Sequence, residues 1–201
     1  MENKAFTLWL TGLPCSGKTT LASLLGARLR ECNVSRLEIL DEGVLRDDLG
    51  ERLESSSAGG ALSTTQTALV ANLLARNGVA VIVADASPSR QERENARKII
   101  GSFVEVYLKC ALGVLRERDL CGSYYGEGGR GEASQAGAWV EIYEAPSNPE
   151  ILVETDQLNP EQAAAEILRR LESLGLVSSP SGYSSEEEEM VKDRLEKLGY
   201  L

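Results

Sequence analysis

The chain has 201 residues, 42% apolar and 26% charged, with a net charge of −10. Such a composition suits one globular domain with an appendage, not a disordered or collagen-like chain. The acidic balance argues against nucleic acid or an anionic membrane surface as partner.

The first apolar run, Ala5 to Thr11, reads as a buried strand ended by Gly12. A helix is predicted from Lys18 to Arg30, with Leu21, Leu24, Leu25 and Leu29 on one face. Arg36 to Leu40 reads as a second strand that stops at Asp41, and residues 44–53 as a short helix. Ser55 to Gly60 is a flexible connection, followed by a helix from Thr64 to Arg76 closed by Asn77-Gly78. Val79 to Ala84 is apolar throughout, as a strand covered on both faces should be. The alternation continues with a helix over Gln91 to Ile100, a strand over Phe103 to Leu108 and a helix over Leu112 to Asp119. Residues 120–146 read as irregular, with six glycines between Cys121 and Gly137. Ile151 to Thr155 is a fifth strand, and Pro160 to Leu174 a helix with proline at its first turn. Strands alternating with helices predict an α/β fold, a five-stranded parallel sheet flanked by helices.

The expected domain covers residues 1–177, with a linker over 178–185 and an acidic amphipathic helix over 186–201. In that helix Met190, Val191, Leu195 and Leu198 share one face, which docks either on its own domain or on a partner. No apolar run approaches the ~18 residues of a membrane span, so no membrane partner is expected. Met1 to Thr11 lacks a secretory pattern, and a cytoplasmic location is expected. There is no histidine, which removes imidazole acid–base catalysis, histidine metal sites and Ser-His-Asp triads. The four cysteines show no CxxC pair or zinc spacing, and reduced thiols are expected.

Gly12, Leu13, Pro14, Cys15, Ser16, Gly17, Lys18 and Thr19 fit GxxxxGK[ST] between a predicted strand and a predicted helix. In that setting backbone N–H groups converge on a phosphate chain, and the helix N-terminus adds partial positive charge. Lys18 is expected at the β/γ-phosphates, and Thr19 is expected to place its hydroxyl on Mg²⁺, so ATP and Mg²⁺ are the implied cofactors. Asp41 and Asp85 end the second and third strands, where an open parallel sheet gathers functional groups. Without histidine, Asp41 is the candidate general base, and Asp85, ending VIVAD, has the form of a carboxylate that holds Mg²⁺ through water. Each is alternatively a loop- or helix-capping aspartate. Cys15 sits beside a helix N-terminus, where thiol pKa falls; it is a redox-sensitive group or simply a small side chain that fits the loop.

From Gly12 to about Val177 the chain resembles the adenylylsulfate (APS) kinase family of P-loop kinases. The matching pieces are GLPCSGKTT through Thr20, Leu40-Asp41, Arg46, SPSRQERENARKI from Ser87, Arg118-Asp119, Gly122-Ser-Tyr124, YEAPSNPE from Tyr143, and Thr155. The resemblance implies a P-loop kinase fold and transfer of the ATP γ-phosphate to the 3′-hydroxyl of adenosine 5′-phosphosulfate, giving PAPS. It further implies that Arg118 and the segment after it form a lid over ATP, that Arg46 contacts the phosphosulfate, and that Ser87 and Pro88 lie near the acceptor. A small-molecule substrate and a homodimer are implied as well.

The departures from the family lie mostly on the acceptor side. The family's DGDxxR reads Asp41-Glu-Gly43-Val-Leu-Arg46, and its LGFS falls on Leu53-Glu-Ser55-Ser56. The acceptor-binding Arg and Asn fall on Gly60 and Ser63. Arg130 is the one basic residue between Asp119 and Leu168, where the family has a basic lid. By the resemblance, the Phe of LGFS stacks on the acceptor's adenine, and losing that stack and an Arg contact would weaken acceptor binding by ~10²–10⁴-fold. Gly43 also removes a carboxylate near the metal, a role Asp85 is positioned to take over. Three functions are therefore weighed: an APS kinase, a kinase of the same fold with another hydroxyl acceptor, and a non-catalytic nucleotide-binding regulatory protein.

Overall fold

The computed structural model describes residues 5–41, 63–119 and 140–178, with positions 190, 194 and 196. Its elements are β1 (Thr7–Thr11), α1 (Lys18–Glu31), β2 (Leu37–Asp41), α2 (Thr64–Arg76) and β3 (Ala80–Ala84), then α3 (Arg90–Ile100), β4 (Phe103–Lys109), α4 (Leu112–Glu117), β5 (Ile151–Glu154) and α5 (Pro160–Ser173). All five expected strands form, within one or two residues of their expected ends. The segment expected to be irregular carries helix at 140–142. The short helix expected over 44–53 and the segment 120–139 lie outside the described residues. So do Gly43, Arg46, Gly60 and most of the tail. Met190, Arg194 and Glu196 are helical, and Met190 is exposed.

The strands form one parallel sheet in the order β2-β3-β1-β4-β5. Successive side chains on a strand face opposite ways, and the sheet uses both faces. Phe6, Leu8 and Leu10 join Leu21, Leu25, Leu29, Ile167 and Leu171 in one core under α1 and α5. Trp9 faces the other way, with Ala68, Ala71, Val81, Val83, Ala96 and Phe103 under α2 and α3. Two helices carry complete capping boxes, Ser63 with Gln66 at α2 and Asn159 with Gln162 at α5. Pro160 opens α5, where its missing N–H costs nothing.

The strand order reverses at β1, which lies between β3 and β4. A crevice opens beyond the carboxyl end of a strand at such a switch point. The register brings Asp41 beside Ala84 and Ala84 beside Leu10, so the ends of β2, β3 and β1 share one edge of the sheet. Among the described residues, no helix is long and apolar enough to cross a membrane.

Candidate active site

The loop after β1 is shaped by three residues with positive φ: Gly12 (158°), Cys15 (62°) and Gly17 (98°). A Cβ on Gly12 would stand 2.7 Å from the Leu108 carbonyl oxygen and 2.8 Å from Ser16 Oγ, so only glycine fits there. Gly17 is the N-cap of α1 and supplies no side-chain cap, and the first turn carries no acid. The first N–H groups of α1 are therefore left for an anion, with the helix dipole unneutralised. Lys18 Nζ donates to the carbonyls of Gly12 (3.0 Å) and Leu13 (3.1 Å), arching over the loop it belongs to. Thr19 and Thr20 follow, both exposed.

Cys15 to Leu21 line one wall of a cleft of about 530 Å³. Arg118, Thr155, Leu158, Pro160 and Ala163 line the other. Arg118 Nη2 donates to the Thr155 carbonyl at 2.6 Å, and its Nη1 lies 3.8 Å from Cys110 Sγ. The residue after α4 is thus tied to the residue after β5, both of them on the cleft wall. The arrangement offers backbone donors and one ammonium at one end, and a guanidinium with an apolar wall at the other. That combination suits a nucleoside triphosphate. Cys15 contributes a weak thiol contact to Asp119 Oδ1 at 3.8 Å, and packs with Leu13, Cys110 and Leu112 against Leu115. Burial raises the Cys32 thiol, far from this site, above its ordinary range.

The other half of the edge is built differently. Asp41, at the end of β2, is 7% exposed. Asp85, just past β3, accepts from Ser87 twice: the backbone N–H reaches Oδ1 at 3.1 Å, and the hydroxyl reaches Oδ2 at 2.8 Å. Trp9 Nε1 in turn donates to Ser87 Oγ at 3.1 Å. Ser87 is fully buried with φ at 42°, a left-handed backbone that a non-glycine residue keeps only when its surroundings hold it there. The capping alternative for Asp85 is thus present in the structure.

A return segment closes this half. Glu144 N–H donates to the Pro88 carbonyl at 2.9 Å, and Arg90 N–H donates to Glu144 Oε2 at 2.8 Å. The Tyr143 hydroxyl lies 3.1 Å from Thr11 Oγ1, which also donates to the Ala86 carbonyl at 2.7 Å. Burial raises the Tyr143 phenol far above its ordinary value, against the opposing pull of the Thr11 contact and Arg93, so it stays neutral. Ser63, where the resemblance places an acceptor-binding Asn, accepts from Gln66 N–H instead and caps α2.

Asp41, Asp85, Ser87 and Pro88 therefore share the sheet edge with the P-loop, and Arg118 stands on the cleft. Arg46 lies outside the described residues. Sequence reasoning did not assign roles to Leu158, Pro160 and Ala163 in the cleft wall, nor to Trp9, Arg93 and Tyr143 around Ser87. One signal for Arg93 was available: with Ala96 and Ile100 it occupies the i, i+3, i+7 stripe that α3 buries. Among the described residues no cluster of three metal-ligating side chains occurs.

A family model described as adenylylsulphate kinase matches residues 4–154. An adenylyl-sulfate kinase of Rippkaea orientalis is 39% identical over 180 residues, covering 90% of this chain and 98% of its own. A probable adenylyl-sulfate kinase of Pyrococcus abyssi is 39% identical over 172 residues, 86% of this chain and 98% of its own. The Mycobacterium tuberculosis APS kinase solved with AMPPNP and APS superposes with a TM-score of 0.69 at 32% identity, covering 84% of this chain and 98% of that one. With its P-loop and these relatives, the chain belongs to the adenylylsulphate kinase family.

Proposed function

We propose that this protein transfers the γ-phosphoryl group of ATP to the 3′-hydroxyl of adenosine 5′-phosphosulfate, giving PAPS and ADP. The observation that carries the reading is one sheet edge with a triphosphate cradle and its guanidinium-walled cleft on one side, and the Asp41 and Ser87-Pro88 ends on the other. Phosphoryl transfer needs in-line placement and charge stabilisation more than covalent work by the protein.

The P-loop amides hold the phosphate chain, and Lys18 exchanges its two carbonyl acceptors for β/γ-phosphate oxygens. Arg118 and the wall around Leu158 and Pro160 receive the nucleoside. Asp41 accepts the proton of the acceptor hydroxyl as it attacks. Thr19 and Asp85 are the residues we assign to Mg²⁺, which when bound neutralises charge on the transferring group. Asp85 would hold the ion through water, its carboxylate fixed just past β3 by the two bonds from Ser87. Arg46 binds the phosphosulfate in this reading. The protein works in the cytoplasm as a homodimer, and the face of α2 with Leu69 (50% exposed) and Leu73 (57%) is available for the dimer contact.

ADP release from ATP–Mg²⁺, with and without APS over a wide concentration range, tests the reading. Saturable APS-dependent turnover supports it. ATP binding without APS stimulation overturns it in favour of a second reading, a same-fold kinase with another hydroxyl acceptor. The engagement of Ser63 in the α2 capping box favours that second reading.

A further inference from the structure

We infer that Arg93, on the buried face of α3, is a positioning residue that holds the acceptor end of the site in shape by joining the Ser87-Pro88 turn to the Tyr143-Glu144 segment. Arg93 is 2% exposed, yet its guanidinium makes four hydrogen bonds to three separate pieces of chain. Its Nε donates to Glu105 Oε1 in β4 at 2.8 Å. Its Nη1 donates to the carbonyls of Ser87, at 2.5 Å, and Pro88, at 3.2 Å. Its Nη2 donates to the carbonyl of Glu144 at 2.5 Å, and the guanidinium lies 5.6 Å from the centre of the Tyr143 ring.

The geometry is more than the burial of a charge. Glu105 alone would neutralise Arg93, and Arg97 Nη2 already stands 3.3 Å from the other Glu105 oxygen. The three carbonyl bonds go further, because they fix backbone that has no regular ladder to hold it. Ser87 is gripped on its N–H by Asp85, on its hydroxyl by Asp85 and Trp9, and on its carbonyl by Arg93. That over-determination is what a buried left-handed non-glycine residue requires. Glu144 is held the same way, its N–H on Pro88 and its carbonyl on Arg93. Only a planar fork with diverging donors can serve all these acceptors at once, and a lysine ammonium cannot. None of the contacts touches the P-loop or the cleft beside Arg118, so the effect belongs to the acceptor end. Naming APS as the acceptor rests on the reading above, whereas the positioning of the turn does not.

The test is Arg93→Lys, which keeps the charge opposite Glu105. Backbone hydrogen exchange is followed first at the Ser87 and Glu144 amides, with Ile82 and Val83 in β3 as the internal reference. Exchange at the first pair is expected to accelerate by about tenfold or more, with the reference pair unchanged. Unchanged exchange at Ser87 and Glu144 would overturn the inference whatever the acceptor is. Steady-state kinetics follow: KM for APS is expected to rise about 10- to 100-fold, with KM for ATP within about twofold. Equal rises in both constants, or none, would also overturn it, since a merely structural role gives no such split. If the wild type does not turn over APS, the assigned acceptor fails, and the exchange result still judges Arg93. Should Arg93→Lys not fold, Glu105→Gln loosens the same anchor and is read by the same exchange split, on the same terms.

Discussion

The two halves of the site solve the same problem in opposite ways. The donor half centres on one continuous stretch, Gly12 to Thr20, whose local conformation creates the phosphate-facing groups (backbone amides, a helix terminus and one lysine), with only the wall around Arg118 and Pro160 brought from elsewhere. The acceptor half is assembled from Trp9, Asp41, Asp85 to Arg93, Glu105 and Tyr143 to Glu144, which meet only after the sheet and α3 are in place. A local device tolerates change elsewhere in the chain, because its geometry is set by its own φ and ψ values. An assembled device depends on every segment it joins. The P-loop motif is intact, and so are Asp41, the stretch from Ser87 and Tyr143-Glu144, whereas positions 43, 55, 60 and 63 depart from the family pattern.

Mutations that strike one half and spare the other sharpen the contrast, and any that strike both would break it. Lys18→Ala should give the largest effect, a fall in kcat of about 10²–10³-fold, because the donor aimed at the developing charge is lost. Single-turnover phosphoryl transfer at saturating ATP is the measurement. Arg118→Ala removes the guanidinium of the cleft wall and should raise KM for ATP by about 10- to 100-fold with KM for APS unchanged, read from paired titrations.

Asp85→Asn should lower kcat about tenfold and shift the Mg²⁺ dependence to higher concentration, as a metal-positioning carboxylate requires. A kcat loss with unaltered Mg²⁺ dependence would reduce Asp85 to the cap that its two Ser87 bonds already make it.

The smallest effect is expected from Glu150→Gln, behind the acceptor half. Burial works against ionisation of Glu150. Hydrogen bonds from Arg97 and from the Glu105 amide outweigh it and hold the carboxyl below its ordinary value. Its folded pKa is thus depressed. The stability it contributes is fully present above the unfolded value of about 4.3 and is lost as pH falls through the lower folded value. Thermal unfolding from pH 7 to pH 3 should therefore show a stability gap between wild type and Glu150→Gln that closes at the acid end.

Much of this could be read before any coordinates. The five strands and the helices between them follow from apolar runs alternating with amphipathic stretches, and Gly12 and Gly17 mark a loop that needs positive φ. Asp41 and Asp85 were recognisable as strand-end acids because β-strand register places such residues at the carboxyl edge. Whether Asp85 caps Ser87 was not legible, since that depends on one backbone torsion and on an indole N–H contributed from 78 positions away. The same holds for Arg93. Its place on the buried stripe of α3 is visible in the sequence, but the three carbonyls it reaches belong to loops whose path only packing sets.

The amino-acid sequence on its own determined the fold class, the phosphate-binding loop and the family. Each of these is a short-range pattern: hydrophobic periodicity, glycine at strained torsions, and a lysine and threonine at fixed spacing. The tertiary structure alone decided which side chains wall the cleft with Arg118, why Ser87 stays left-handed, and that one buried guanidinium joins the turn after β3 to the segment before β5. Those outcomes rest on contacts between residues far apart in the chain. Hydrogen-bond geometry there is settled by how two faces of a sheet are covered, which no local pattern encodes.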